Sequence, residues 1–159
     1  MNRISLINKE HLISIINFIN YNSHEFNYFK NIGWNIKNIE SHFSKNNNYS
    51  LGYFKDNNLV GVLIGDTIKN DKEYDLELHI LFVSKDLRRK KIATKLLNYI
   101  ETNNVNFSKI FIEVAEDNVE AINFYQKNNF VFLNFRHNYY RYNDKNIHAK
   151  CFIKNINNE

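Results

Sequence analysis

The chain has no proline, four glycines, one methionine and one cysteine among its 159 residues. Without proline, helix ends and linkers lose their usual markers, so element boundaries read from the sequence are soft. The lone Cys151 excludes an intramolecular disulfide, and no C-x-x-C or H-x-x-x-H spacing accompanies the six histidines. Neither a disulfide scaffold nor a metal site is therefore expected. No segment approaches the ~20 apolar residues of a membrane span, and Met1 to Lys9 lacks the apolar stretch of a signal peptide. These absences predict a cytoplasmic protein with no membrane partner.

What is present suits one globular core. Hydrophobic residues make up 43% of the chain and aromatic ones 15%, ample for folding, and the length fits a single domain over 1–159 rather than two. The frequent Asn and Lys read as compositional bias, not disorder. The net charge of +4 is focused: Lys85 to Lys95 holds six Lys or Arg against one Asp, a local +5. Charge confined to one turn fits a compact polyphosphate better than a nucleic-acid backbone, so nucleic acid is not the expected partner.

Periodicity predicts the element order β-α-α-β-β-β-α-β-α-β-β. Ile4 to Ile7 reads as a strand and His11 to Ile19 as a helix. A second helix covers Ile36 to Phe43. Tyr49 to Phe54 and Leu59 to Ile68 form a hairpin around Lys55 to Asn58, and Tyr74 to Val83 is the next strand. A helix from about Arg88 to Thr102 follows, with Ile92, Leu96, Leu97 and Ile100 on its buried stripe. Lys109 to Ala115 is a strand, and Asp117 to Glu120 resembles a capping box opening a helix to about Asn128. Phe130 to Arg136 and Ile147 to Ile153 are the last strands. An α/β (α+β) fold is expected, with a central mixed, mostly antiparallel sheet flanked by helices.

The basic cluster lies where an apolar strand, Leu78 to Val83, passes through Ser84 to Leu87 into Arg88-Arg89-Lys90-Lys91-Ile92-Ala93-Thr94. A helix start offers unpaired N–H groups and the positive end of its dipole, and four cationic side chains there point to a pyrophosphate ligand.

Two motifs carry a family resemblance. Arg88 to Ala93 is similar to Q/R-x-x-G-x-G/A, the acetyl-CoA turn of the GNAT acetyltransferase superfamily, with Lys91 in place of the middle glycine. Asn118 to Phe130 is similar to the family's N-x-x-A-x-x-x-Y-x-x-x-G-F, with Asn129 at the glycine; Asn is the residue that next best tolerates a left-handed helix end. The segment Phe135 to Tyr140 resembles the R-N-Y-Y of RimI-type enzymes, which acetylate the N-terminal alanine of a ribosomal protein, and Phe111-Ile112-Glu113-Val114 resembles their L-E-V. The likeness is good from about residue 74 to 142. Ser23 to Phe43 would form the acceptor side.

The resemblance implies acetyl-CoA as co-substrate and direct attack by a primary amine. The amine must lose a proton and the thiolate must gain one. Glu113, the one charge in Ile110 to Ala115, is the candidate general base, with an ion-paired structural Glu as the alternative and Glu77 in reserve beside His79. Tyr125 lies two helical turns after Asn118 on one stripe, where both can face a pantetheine arm; it is the candidate general acid, with a core Tyr as the alternative. The implied cofactor contacts are Phe82 and Val83 through a backbone N–H on the thioester carbonyl, Arg88 to Thr94 on the phosphates, and Asn118 with Tyr125. The acceptor is a peptide N-terminus or a small amine such as a polyamine or aminoglycoside. A non-catalytic acyl-CoA or nucleic-acid-binding module is a third reading, and the oligomer is a monomer or homodimer.

Overall fold

The computed structural model describes residues 1–103 and 106–156. Strands β1 (Asn2–Leu6), β2 (Asn48–Lys55), β3 (Asn58–Lys69), β4 (Tyr74–Val83), β5 (Phe107–Ala115), β6 (Val131–Tyr142) and β7 (Lys145–Asn155) join one sheet in the order β1-β2-β3-β4-β5-β7-β6. Only β4 and β5 pair in parallel; every other neighbour is antiparallel. The mixed, mostly antiparallel sheet expected from the sequence is what forms.

Helices α1 (Leu12–Tyr21), α2 (Ser23–Asn31) and α3 (Ile36–Phe43) precede β2; α4 (Ile92–Thr102) links β4 to β5, and α5 (Val119–Lys127) follows β5. Strand alternation divides the apolar residues between two layers. Val62, Ile64, Ile80 and Phe82 face one way, onto Ile15, Phe18 and Ile19 of α1 and Phe26 of α2. Leu51, Leu63, Leu76 and Leu78 face the other way, onto Leu96, Leu97 and Ile100 of α4 and Ile122 of α5.

No helix is expected at 23–31 from the sequence, yet α2 forms there. Only Phe26 of α2 is buried, with Phe29 partly so, and the helix is polar overall, so few apolar residues mark it. Tertiary contacts hold it instead: Phe26 meets the Phe82 ring edge-on with centroids 5.3 Å apart. Buried Asn22, between α1 and α2, donates to the Phe18 carbonyl and accepts from the Ser84 hydroxyl at 2.9 Å. That bond ties the α1–α2 corner to the loop after β4.

Three boundary differences bear on the site. Helix α4 begins at Ile92, because Arg89 and Lys91 take left-handed backbone with φ 61° and 60°, which ends any helix running through them. The α5 cap is Asn118, whose side chain accepts from the Ala121 N–H, so Asp117 does not open a capping box. Strand β6 runs on to Tyr142 through an irregularity: Arg136 pairs with Ala149 but Tyr140 with Ile147, and Asn138 between them has φ 52°.

Candidate functional site

The site begins with an extra residue. Ile64 pairs with Ile80 and Gly65 with Leu78, so His79 of β4 has no opposite number on β3, and β4 bulges there. Gly65 permits it, since a Cβ at that position would sit 2.7 Å from the Glu77 carbonyl oxygen. Pairing between β4 and β5 stops at Leu78 with Ile112. Beyond the bulge, 79–83 and 113–115 diverge, and the sheet opens into a cleft whose β4 side ends at Phe82 and Val83.

Two cavities, of about 970 and 800 Å³, meet at this opening and share Tyr28, Ile32, Trp34, Asn118 and Tyr140 on their walls. The first lies between the α1–α2 corner and Ala115 to Asn118. The second holds Glu77, His79, Glu113, Arg136 and Tyr139. Glu77 and Glu113, on adjacent strands, therefore face one space.

Glu113 is partly buried and ion-paired with Arg136, whose guanidinium also stacks over the Tyr139 ring at 3.9 Å. Arg136 occupies Oε1. Burial, then the neighbouring Glu113 charge, raises the Tyr139 phenol above its ordinary range, and the same two causes raise the Cys151 thiol. Tyr140 donates to the Glu113 carbonyl oxygen at 3.4 Å. No role for Arg136 or Tyr140 is expected from the sequence; the β6 irregularity turns both toward β5, and a strand expected to end at Arg136 gives no sign of it.

Tyr125 is almost fully buried and lies on neither cavity wall. Burial pushes its phenol far above the ordinary value, with Tyr28 adding to the shift, and Tyr140 is raised in the same way. Tyr28 itself is raised by burial, partly offset by hydrogen bonding to Ala115 and Asn118. Three phenols thus gather near Asn118, all held protonated, with Tyr28 and Tyr140 on the cavity walls and Tyr125 beneath them. Tyr28 comes from α2, the polar helix not expected from the sequence, so only the tertiary structure reveals it.

The basic turn stands on the surface at the end of β4. Arg88, Arg89, Lys90 and Lys91 are all exposed. Arg88 Nε donates to the Val83 carbonyl at 3.3 Å and its guanidinium lies 5.6 Å from the Phe82 ring centroid, which anchors the turn to the strand end. Lys91 is the N-terminal cap of α4 and provides no side-chain hydrogen bond, so Ile92, Ala93 and Thr94 present helix-start amides without a side-chain acceptor. The Ile92 side chain is buried, leaving its backbone as its contribution. Cations, dipole and free amides coincide, an arrangement that fits a pyrophosphate.

The acetyltransferase (GNAT) family model matches residues 13–130. No curated protein matches the chain significantly by sequence. Among solved structures, a probable acetyltransferase from Staphylococcus epidermidis superposes with a TM-score of 0.81 at 21% identity, covering 99% of this chain and 100% of the other. The ribosomal-protein-S18-alanine N-acetyltransferase from Escherichia coli gives 0.78 at 21% identity, over 100% and 96% of the two chains. Arabidopsis thaliana NAA60 in complex with acetyl-CoA gives 0.76 at 15% identity, over 98% and 99%. No helix among the described residues is long and apolar enough to cross a membrane. The family match spans the α1–α3 layer, the splayed strands, the basic turn and α5, and on that ground the chain is an acetyltransferase belonging to the GNAT family.

Proposed function

We propose that the protein transfers the acetyl group of acetyl-CoA to a primary amine by direct attack, and that the acceptor is the N-terminal α-amine of a protein. The observation carrying this reading is the splay of β4 from β5, with the basic turn at one end and two carboxylates, Glu77 and Glu113, in the cavity at the other.

In this reading the pyrophosphate rests on the amides of Ile92, Ala93 and Thr94 and on the charges of Arg88 to Lys91. The pantetheine arm runs along Asn118 into the splay. The amine nitrogen attacks the thioester carbonyl carbon, and the carbonyl electron pair moves onto oxygen, held by a backbone N–H near Phe82 and Val83. Glu113 takes the amine proton on the oxygen that Arg136 leaves free, directly or through a water, with Glu77 as the alternative acceptor. The C–S bond breaks, and a buried phenol, Tyr125 or the cavity-wall Tyr140, returns a proton to the sulfur. The phenolate is then reprotonated from the proton held on the carboxylate, which closes the cycle. Burial keeps these phenols protonated until the departing sulfur takes a proton.

The α-amine acceptor draws support from the likeness to the Escherichia coli alanine acetyltransferase and from chemistry: an α-amine has a pKa of about 7.7–8.0 against about 10.4 for lysine, so one carboxylate suffices to deprotonate it. Tyr28, Trp34 and Tyr139 give the cavity flat walls for a peptide. A small amine is the second reading, favoured by the two facing carboxylates, which suit a polycation. Free-thiol release from acetyl-CoA, measured with an alanine-starting peptide beside polyamines and aminoglycosides, separates the two. Release with the peptide alone supports the α-amine acceptor, and release with the small amines alone replaces it.

A further inference from the structure

At the His79 wall of the second cavity, His42 of α3, Asp66 of β3 and His79 of the β4 bulge converge, with one donor atom from each lying within 4.8 Å of the others. His79 Nε2 is 3.0 Å from Asp66 Oδ2, and His42 Nδ1 is 3.5 Å from Asp66 Oδ1. His42 is 2% exposed and Asp66 8%. The half-exposed Lys45 ammonium approaches Oδ2 at 3.6 Å, but His42 Nδ1 and Asp66 Oδ1 are both buried without a hydrogen-bond partner. A buried donor or acceptor left unsatisfied costs about 1–3 kcal/mol, so two facing each other call for a third party.

The orientation of His42 defines what that party is. Its Nε2 lies 2.9 Å from Asn48 Oδ1, an acceptor that also receives the Ser50 hydroxyl. Nε2 therefore carries the proton and donates, which leaves a lone pair on Nδ1 aimed at a carboxylate oxygen. Two lone pairs face one another across the gap, and a cation between them satisfies both. An imidazole whose far N–H is held by a carbonyl-type oxygen is also the usual second shell of a metal ligand.

We propose that His42, Asp66 and His79 bind one divalent cation of the zinc type. Two imidazoles and a carboxylate form a borderline-soft donor set suited to that ion, with water as the fourth ligand. A tetrahedral ion with bonds of ~2.0–2.1 Å separates its donors by roughly 3.3 Å, close to the two shorter separations present. The ion cross-links α3, β3 and the bulge, and so fixes the His79 wall of the second cavity. The donors come from three elements 13 or more residues apart, which is why no local spacing marks the site. The inference is independent of the acetyl-transfer reading.

The sole tryptophan, Trp34, has its ring centroid 5.1 Å from that of His79 and 5.5 Å from that of His42, so it reports on the site. The test titrates chelator-treated full-length protein with Zn²⁺ by calorimetry and with Co²⁺ by visible absorption, following Trp34 emission in both. One saturable ion per chain is expected, with Trp34 emission changing in step. His42→Gln and His79→Gln each lower affinity by about 100-fold or more, and Asn48→Ala lowers it by about 10–100-fold. His148→Gln, which alters the separate His137–His148 pair, leaves it unchanged. His79 is partly exposed, so its variant keeps the test valid if His42→Gln fails to fold. Absence of saturable binding overturns the proposal, as does binding that survives in His79→Gln or is lost in His148→Gln.

Discussion

The end of the cleft proposed to hold the cofactor and the end proposed to hold the acceptor are built in different ways. The phosphate-holding part of the cofactor end is one continuous stretch, β4 to α4, in which strand, turn and helix start follow in sequence. The acceptor end is assembled from α2, the α2–α3 connection, β5 and β6, with Tyr28, Glu113 and Arg136 drawn from positions up to 108 residues apart. A local device binds through backbone and charge and tolerates side-chain changes. A device assembled across the fold depends on each side chain arriving where the others expect it.

Substitutions at the two ends should therefore separate into kinetic classes. The largest effect is expected at the acceptor end: Glu113→Gln lowers kcat by about 10²–10⁴-fold while the KM for acetyl-CoA stays similar, as steady-state kinetics would read. An unchanged kcat would transfer the base role to Glu77. Tyr125→Phe should lower kcat by about 10²-fold, again with similar acetyl-CoA affinity. Full turnover in that variant would leave Tyr125 a core residue and point to Tyr140, the phenol on the cavity wall.

The pH dependence sharpens the same end. An α-amine must lose its proton to react, so kcat/KM should rise about tenfold per pH unit and level off above about 8. Burial raises Tyr125 and Tyr140, so neither phenol ionises below its ordinary value of about 10, and no descending limb should follow up to there. A descending limb between pH 8 and 9 would contradict the assignment of a buried phenol as acid.

At the cofactor end the effects are smaller and fall on KM. Arg89→Ala should raise the KM for acetyl-CoA about three- to tenfold with kcat unchanged, and added salt should narrow the gap. The smallest effect is expected at Lys91, which holds φ 60° where the family motif has glycine. Lys91→Gly removes a left-handed strain of about 1 kcal/mol and should raise the melting temperature by about 2–4 °C. A lower melting temperature would show that the turn is stabilised by the Lys91 side chain.

The same division governs what the sequence discloses. Leu78 to Thr94 reads as strand, turn and helix because apolar alternation, a charge cluster and a 3.6-residue stripe lie side by side, and Asn129, with φ 66°, closes α5 in the left-handed conformation expected of it. Glu113 stands out as a lone charge on an apolar strand. Its partner Arg136 does not, because an exposed arginine near a strand end has no local signature, and the pairing depends on the β6 irregularity. Tyr28 and α2 escape notice because that helix is polar overall, with few apolar residues to mark it. The His79 bulge is invisible too, since it exists only in the register between two strands.

The most direct test of the account is mass spectrometry of an alanine-starting peptide carrying an internal lysine, after incubation with acetyl-CoA and either the wild-type protein or Glu113→Gln. Acetyl on the α-amine, formed by the wild type and strongly reduced in the variant, is the predicted result. No acetyl on any amine, or equal modification by both proteins, would contradict a carboxylate-assisted N-acetyltransferase built on the splay of β4 and β5.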